Sequence, residues 1–149
     1  MKEIKFRAWD KKTNTYHAKI WNLGWRIGGI RFFWDDYKNS DGETMVTDLI
    51  DGDYVLMQYT GLKDKNGQEI YEGDIIKFDV YDGYSSERAT DSVYYHVKEA
   101  RFRLATMSEY DVWRFGEDIE VIGNIYETPE LLKDSHESQA SLNTVRRNR

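Results

Sequence analysis

The chain has no cysteine, one proline and only three histidines in 149 residues. Without cysteine, disulfides, thiolate catalysis and cysteine-based zinc sites are all excluded. His17, His96 and His136 are scattered along the chain and form no His-x-His or His-Glu-x-x-His spacing, so no metal site is expected. Positive charge is also short. Lys and Arg number 21 against 27 Asp and Glu, a net charge of −6, which argues against a bulk electrostatic grip on nucleic acid. No run approaches the roughly 20 apolar residues of a membrane span, and Met1–Arg7 has no apolar core of signal-peptide length. A soluble, cytoplasmic protein is expected, without membrane contact.

The chemistry of catalysis is equally sparse. Gly28-Gly29 is too short for a phosphate loop and is followed by bulky residues. Ser85 and Ser86 lack a nucleophile-elbow context. Asp35 and Asp36 are adjacent, so on a strand they face opposite sides and cannot share a substrate. Asp48 and Asp51-Gly52-Asp53 suggest calcium only superficially, because apolar Tyr54-Val55-Leu56-Met57 follows where an EF-hand needs further oxygen ligands. A turn before a strand is the better reading. Neither an enzyme nor a bound cofactor is expected.

What the chain does have is rings: eleven Tyr, six Phe and five Trp, in a composition only 40% apolar. Aromatics of this density make a small core largely ring surface and favour strands. Ile4, Phe6 and Ala8 alternate with Glu3, Lys5 and Arg7, the period of a half-buried strand. A turn-rich stretch follows at Asp10–Thr15, then a return arm at Tyr16–Ile20. One or two short strands are expected around Trp25–Phe33, an irregular stretch at Asp35–Gly42, and a short strand near Thr44–Ile50. Tyr54–Thr60 reads as a strand leading to the turn Asp64-Lys-Asn-Gly67. Beyond Glu72-Gly73-Asp74, where glycine eases a corner and Asp74 caps it, Ile76, Phe78 and Val80 alternate with Lys77, Asp79 and Tyr81. A flexible loop is expected over Asp82–Asp91, then a hairpin of Val93–Val97 and Arg101–Thr106, and a last strand at Ile119–Tyr126. Thr128-Pro129-Glu130 has the order of a helix start.

Trp21, Trp25, Phe32, Phe33 and Trp34 crowd one region. A base-stacking platform carries interleaved Lys and Arg, but here only Arg26 and Arg31 intervene, and Asp35-Asp36 follows. A core or self-association role is preferred, which makes Trp21, Trp25, Phe33 and Trp34 the candidate interaction surface. At least two of Trp21, Trp25 and Trp34 are expected to be shielded from water, because so large a sticky patch is rare on soluble monomers.

Several stretches together resemble the YopX family of phage and prophage proteins. They are Met1-Lys-Glu-Ile-Lys-Phe-Arg-Ala-Trp-Asp10, Leu56-Met-Gln-Tyr-Thr-Gly-Leu-Lys-Asp-Lys-Asn-Gly67, Ile70-Tyr-Glu-Gly-Asp-Ile-Ile76, Glu120-Val-Ile-Gly-Asn-Ile-Tyr126 and Pro129-Glu-Leu-Leu132. The resemblance implies a small, mostly β protein carried by phages of Gram-positive bacteria and their prophages. It brings no catalytic residues. The Trp21–Trp34 region, the Asp82–Asp91 loop and the basic tail depart from it.

The expected fold is mainly β with little helix: a small SH3-like bent barrel with an N-terminal β-hairpin extension. The expected organisation is an N-terminal hairpin and aromatic region over 1–53, the barrel over 54–132, and a polar, disordered tail over 133–149. The expected function is that of a non-enzymatic accessory protein binding a host or phage protein, or its own copies. The alternative is a nucleic-acid-binding module using the barrel face and the basic tail, with Arg146, Arg147 and Arg149 as phosphate contacts.

Overall fold

The computed structural model describes residues 3–26, 29–38, 44–48, 53–81, 86–107, 111–112, 114 and 118–133, with residues 17–48 described by their backbone. The fold is mainly β with little helix. Its strands are β1 (Phe6–Asp10), β2 (Thr15–Arg26), β3 (Gly29–Lys38), β4 (Thr44–Asp48), β5 (Tyr54–Lys63), β6 (Glu69–Tyr71), β7 (Asp74–Tyr81), β8 (Ser86–His96), β9 (Arg101–Leu104) and β10 (Glu120–Asn124). The chain divides into two compact units, Met1–Gly61 and Leu62–Arg149.

In the first unit the strands stand in the order β4-β3-β2-β1-β5. The β1–β2 hairpin forms where the alternating run meets its turn. Asp10 Oδ1 accepts the backbone N–H groups of Lys12 at 2.8 Å and Thr13 at 3.2 Å, and Asn14 takes a positive φ of 53°, as asparagine tolerates. The other side of β1 pairs with β5 from Phe6↔Gln58 to Asp10↔Tyr54. That pairing ties the first half of β5 to the N-terminal unit, which runs to Gly61.

Ala8 is fully buried against Phe6, Tyr54 and Leu56, but Ile4 is 67% exposed because β1 begins only at Phe6. The face of β1 carrying Lys5 and Arg7 is not simply solvated. Arg7 lies over the Tyr16 ring at 4.5 Å and Lys5 over Tyr59 at 5.4 Å, while Trp9 meets Tyr16 edge-on at 4.9 Å. The aliphatic stems of both cations thus cover ring surface.

The second unit holds a four-stranded antiparallel sheet, β10-β7-β8-β9. Ile70, Ile76, Phe78, Val93, Phe102, Leu104, Val112 and Ile119 form its core. Ile76 and Phe78 come from the alternation along β7, and Phe102 and Leu104 from that along β9. Burying a side chain such as Phe78 contributes about 1.5–3 kcal/mol.

Ser86–Asp91, expected within a flexible loop over Asp82–Asp91, belongs to a strand. β8 begins at Ser86 and pairs with β7 from Tyr81↔Ser86 to Ile75↔Ser92. Its first residues are polar and exposed, with Arg88 Nε 3.2 Å from Asp79 Oδ1 across the ladder. A strand outside the core has no apolar alternation to betray it.

The hairpin expected after Val93 forms as β8–β9 around a 3₁₀ turn at Val97–Glu99. After β10, Leu131 N–H donates to Thr128 O at 3.1 Å and Lys133 N–H to Glu130 O at 3.0 Å, the single helical turn that Thr128-Pro129-Glu130 announces. The tail expected at 133–149 lies, past Lys133, outside the described residues.

Candidate interaction surface

The sequence-predicted aromatic residues fall on two paired strands, Trp21 and Trp25 on β2 and Phe33 and Trp34 on β3. The register gives Ile20↔Trp34, Leu23↔Phe32 and Trp25↔Ile30, alternating with Asn22↔Phe33, Gly24↔Arg31 and Arg26↔Gly29. Directly opposed residues share one face of an antiparallel pair, and successive pairs alternate faces. Trp25 and Trp34 therefore stand at apolar positions of one face. Phe33 stands with Asn22 and Arg31 on the other, and Trp21 occupies the register shift between Ile20 and Asn22.

Phe6↔Ile20 on the neighbouring ladder continues the apolar row into β1. β2 pairs with β1 over Thr15–Ile20 and with β3 from Ile20 to Arg26, and β3 pairs in turn with β4. The side chains of Trp21, Trp25, Phe33 and Trp34, and with them the expected shielding of the three tryptophans, lie outside the described residues. So do Arg146, Arg147 and Arg149.

The second unit presents fixed corners. At the first, Gly67 N–H donates to Asp64 O at 2.9 Å, closing the expected turn, with Gly67 at φ 82°. Asp64 Oδ1 accepts from Asn66 and Gln68 N–H at 2.8 and 2.9 Å, and Oδ2 from Val121 N–H at 3.2 Å. Burial pushes this carboxyl up, but the N–H donors of Gln68, Val121 and Asn66, with the Asn66 amide, outweigh it and hold Asp64 below the usual carboxylate range.

At the second corner, Asp74 Oδ2 accepts Tyr71 N–H at 2.7 Å, the cap expected of it, and Gly73 N–H donates to Val93 O at 2.8 Å. Burial, and then the nearby Glu72, pushes the Tyr126 phenol up. At the third, Asn124 Oδ1 accepts Tyr126 and Glu127 N–H, each at 2.9 Å. Thr128 turns its hydroxyl back to accept from Asn124 N–H at 3.2 Å. Gly123 is required here, because a Cβ on it would collide with Thr128 Oγ1 and lie 3.0 Å from Leu131 Cδ1.

Two features escaped the sequence reading. Asp91 is fully buried and accepts from Ser92 N–H at 2.8 Å, Met107 N–H at 3.0 Å, and both the N–H and hydroxyl of Thr106 at 3.0 and 2.7 Å. It holds β8 to the segment leaving β9. The only local signal is an Asp beside the apolar Val93-Tyr-Tyr95.

The other feature is an ion network on β9. Glu99 receives Arg101 at 2.7 Å and Arg103 at 2.6 Å, and Asp111 receives Arg101 Nη1 at 2.8 Å. The Arg101 hydrogen bond holds the Glu99 carboxyl below its usual range despite partial burial. These guanidiniums are occupied by carboxylates of their own chain, so the cluster makes no ready phosphate fork. Among the described residues, no three His, Asp or Glu side chains converge as metal ligands.

A family model described as YopX protein matches residues 5–133. Among solved structures, the chain is similar to the crystal structure of protein EF1440 from Enterococcus faecalis. The two share 32% identity at a TM-score of 0.62, over 89% of this chain and 99% of that one. Curated proteins offer no match.

Proposed function

The chain belongs to the YopX family, and from that premise we propose that it is a non-enzymatic, phage- or prophage-encoded accessory protein that works in the host cytoplasm by binding protein. The partner is a host or phage protein or a second copy of the chain. The observation that carries this reading is the register of β2 and β3, which sets Ile20, Leu23 and Trp25 opposite Trp34, Phe32 and Ile30 on a hairpin with few interleaved cations. Large rings on one sheet face are the usual anchors of protein interfaces. Among the described residues no helix is long and apolar enough to cross a membrane, in keeping with a cytoplasmic site of action.

The test is light scattering on the purified chain together with pull-down from infected or lysogenic host lysate. The reading expects either self-association or a recovered partner, lost in the double variant Trp25→Ser/Trp34→Ser while the far-UV spectrum is retained. A strict monomer with nothing captured refutes it. Collapse of the spectrum in the double variant would instead make the apolar face part of the core.

The nucleic-acid reading rests on Arg146, Arg147 and Arg149, since counterion release is a local effect. A low-salt gel shift that is present for the full chain and absent after truncation at Leu132 would favour it.

A further inference from the structure

The ends of the two sheets are treated very differently. In the second unit, the outer edge of β10 is closed by Asp64, whose carboxylate takes Val121 N–H, and by Lys65 N–H, which donates to Ile119 O at 2.8 Å. The outer edge of β9 is bridged by Arg103↔Asp111 and carries Arg101 and Arg103 at alternate positions. Capped, charged edges of this kind prevent unwanted strand pairing. At the far end of the first unit's sheet is β4, Thr44-Met-Val-Thr-Asp48, which pairs with β3 on one side and has no strand on its other side among the described residues. It contains no Lys, Arg, Pro or Gly, and its residues include two Thr and one Val, all β-branched and suited to a ladder.

We propose that β4 is a self-association edge, pairing antiparallel with β4 of a second copy about a two-fold axis at Val46 and joining two sheets into one. The proposal rests on the self-association reading above and names its surface. A two-fold antiparallel ladder is isologous, so each residue opposes one residue of an identical strand. Centred on Val46, it sets Val46 against its own copy, Met45 against Thr47, and Thr44 against Asp48. No like charges meet, and Thr44 offers its hydroxyl to a carboxylate. Any other centre shortens the ladder, because β4 spans only Thr44–Asp48. Next to it, β3 carries Phe32 opposite Thr47 and Phe33 opposite Val46, so joining the edges also brings the two aromatic hairpins toward a single extended sheet. Main-chain bonds then supply the affinity and opposed side chains the register.

The absence of cysteine from the chain makes cross-linking a background-free test. Full-length V46C under mild oxidation is expected to give a covalent dimer at twice the 17.7 kDa chain mass. T44C alone and D48C alone should remain largely monomeric, and a mixture of the two should cross-link. A second set of variants reads the same register without disulfide geometry. V46K places like charges on the axis and should weaken dimerisation about tenfold or more, and mixing V46K with V46E should restore it.

V46C that stays monomeric while wild type dimerises in light scattering overturns the β4 edge and leaves self-association standing. T44C cross-linking as readily as V46C overturns the register at Val46. Wild type that is monomeric at every concentration overturns this inference and self-association together, leaving the pull-down to decide whether another protein is bound.

Discussion

The two units of this protein are built on different principles. The second is wired: Asp64, Asp74, Asp91 and Asn124 are all buried, and each accepts backbone N–H groups, so corners and strand edges are fixed by side chains. The first is a sheet of long strands around β1, in which cations lie over tyrosine rings, buried Asp10 alone plays the corner role among the residues described, and β4 pairs with β3 alone among the described strands. The contrast teaches that corners need side-chain acceptors for their backbone N–H groups, while long paired strands satisfy theirs within the ladder. Of the stretches that resemble the YopX family, Asp64–Gly67, Gly73-Asp74 and Gly123-Asn124 are turn chemistry of the second unit, and Phe6–Asp10 is strand β1 of the first.

The sharpest way to break this contrast is to cut the wiring. Asp91→Ala leaves the N–H groups of Ser92, Thr106 and Met107 without their acceptor, and is expected to cost about 3 kcal/mol. Urea unfolding measures the loss. Fluorotryptophan NMR locates it, because Trp113 reports the second unit and Trp9, Trp21, Trp25 and Trp34 the first. An equal loss at all five signals would mean that the two units unfold as one.

A smaller loss, about 2 kcal/mol, is expected for Gly123→Ala, from overpacking against Thr128 and Leu131. Replacing Thr128 by Ser as well should not rescue it, because the hydroxyl that collides is retained. A pair more stable than the single variant would show that the collision is relieved by rotation.

Acid supplies the next test. Asp64 is held below its ordinary value of 3.8, so its ionised form stabilises the fold above the unfolded pKa, and that stabilisation is lost as pH falls through the lower folded pKa. Asp64→Asn should therefore be less stable than wild type at neutral pH, with the difference in urea midpoint narrowing below about pH 3.8. A constant difference down to acid would show that the turn needs the shape of the side chain and not its charge. The smallest effect is expected from Gly67→Ala, about 1 kcal/mol, since φ 82° strains a Cβ even though the space around it is open. Thermal melting suffices to read it.

What the sequence by itself determined is whatever depends on near neighbours. The turn at Asp64–Gly67, the cap of Asp74 on Tyr71, the helical turn after Thr128 and the alternation of Ile76 and Phe78 each involve residues a few positions apart, and residue type is enough to specify them. The mainly β class follows from the same local patterns, and the aromatic residues of the candidate surface were equally plain. Their division between two faces follows from the alternation along each strand, but the place of Trp21 does not, because it falls at a register shift between Ile20 and Asn22 that only the paired strands show. Tertiary structure alone decided that β5 belongs in part to the N-terminal unit, that polar Ser86–Asp91 is a strand, that Asp91 reaches Thr106 and that Asp64 reaches Val121, 57 positions away. A carboxylate shows its residue type in the sequence, but its burial and its donors come from strands that only the folded sheet brings alongside.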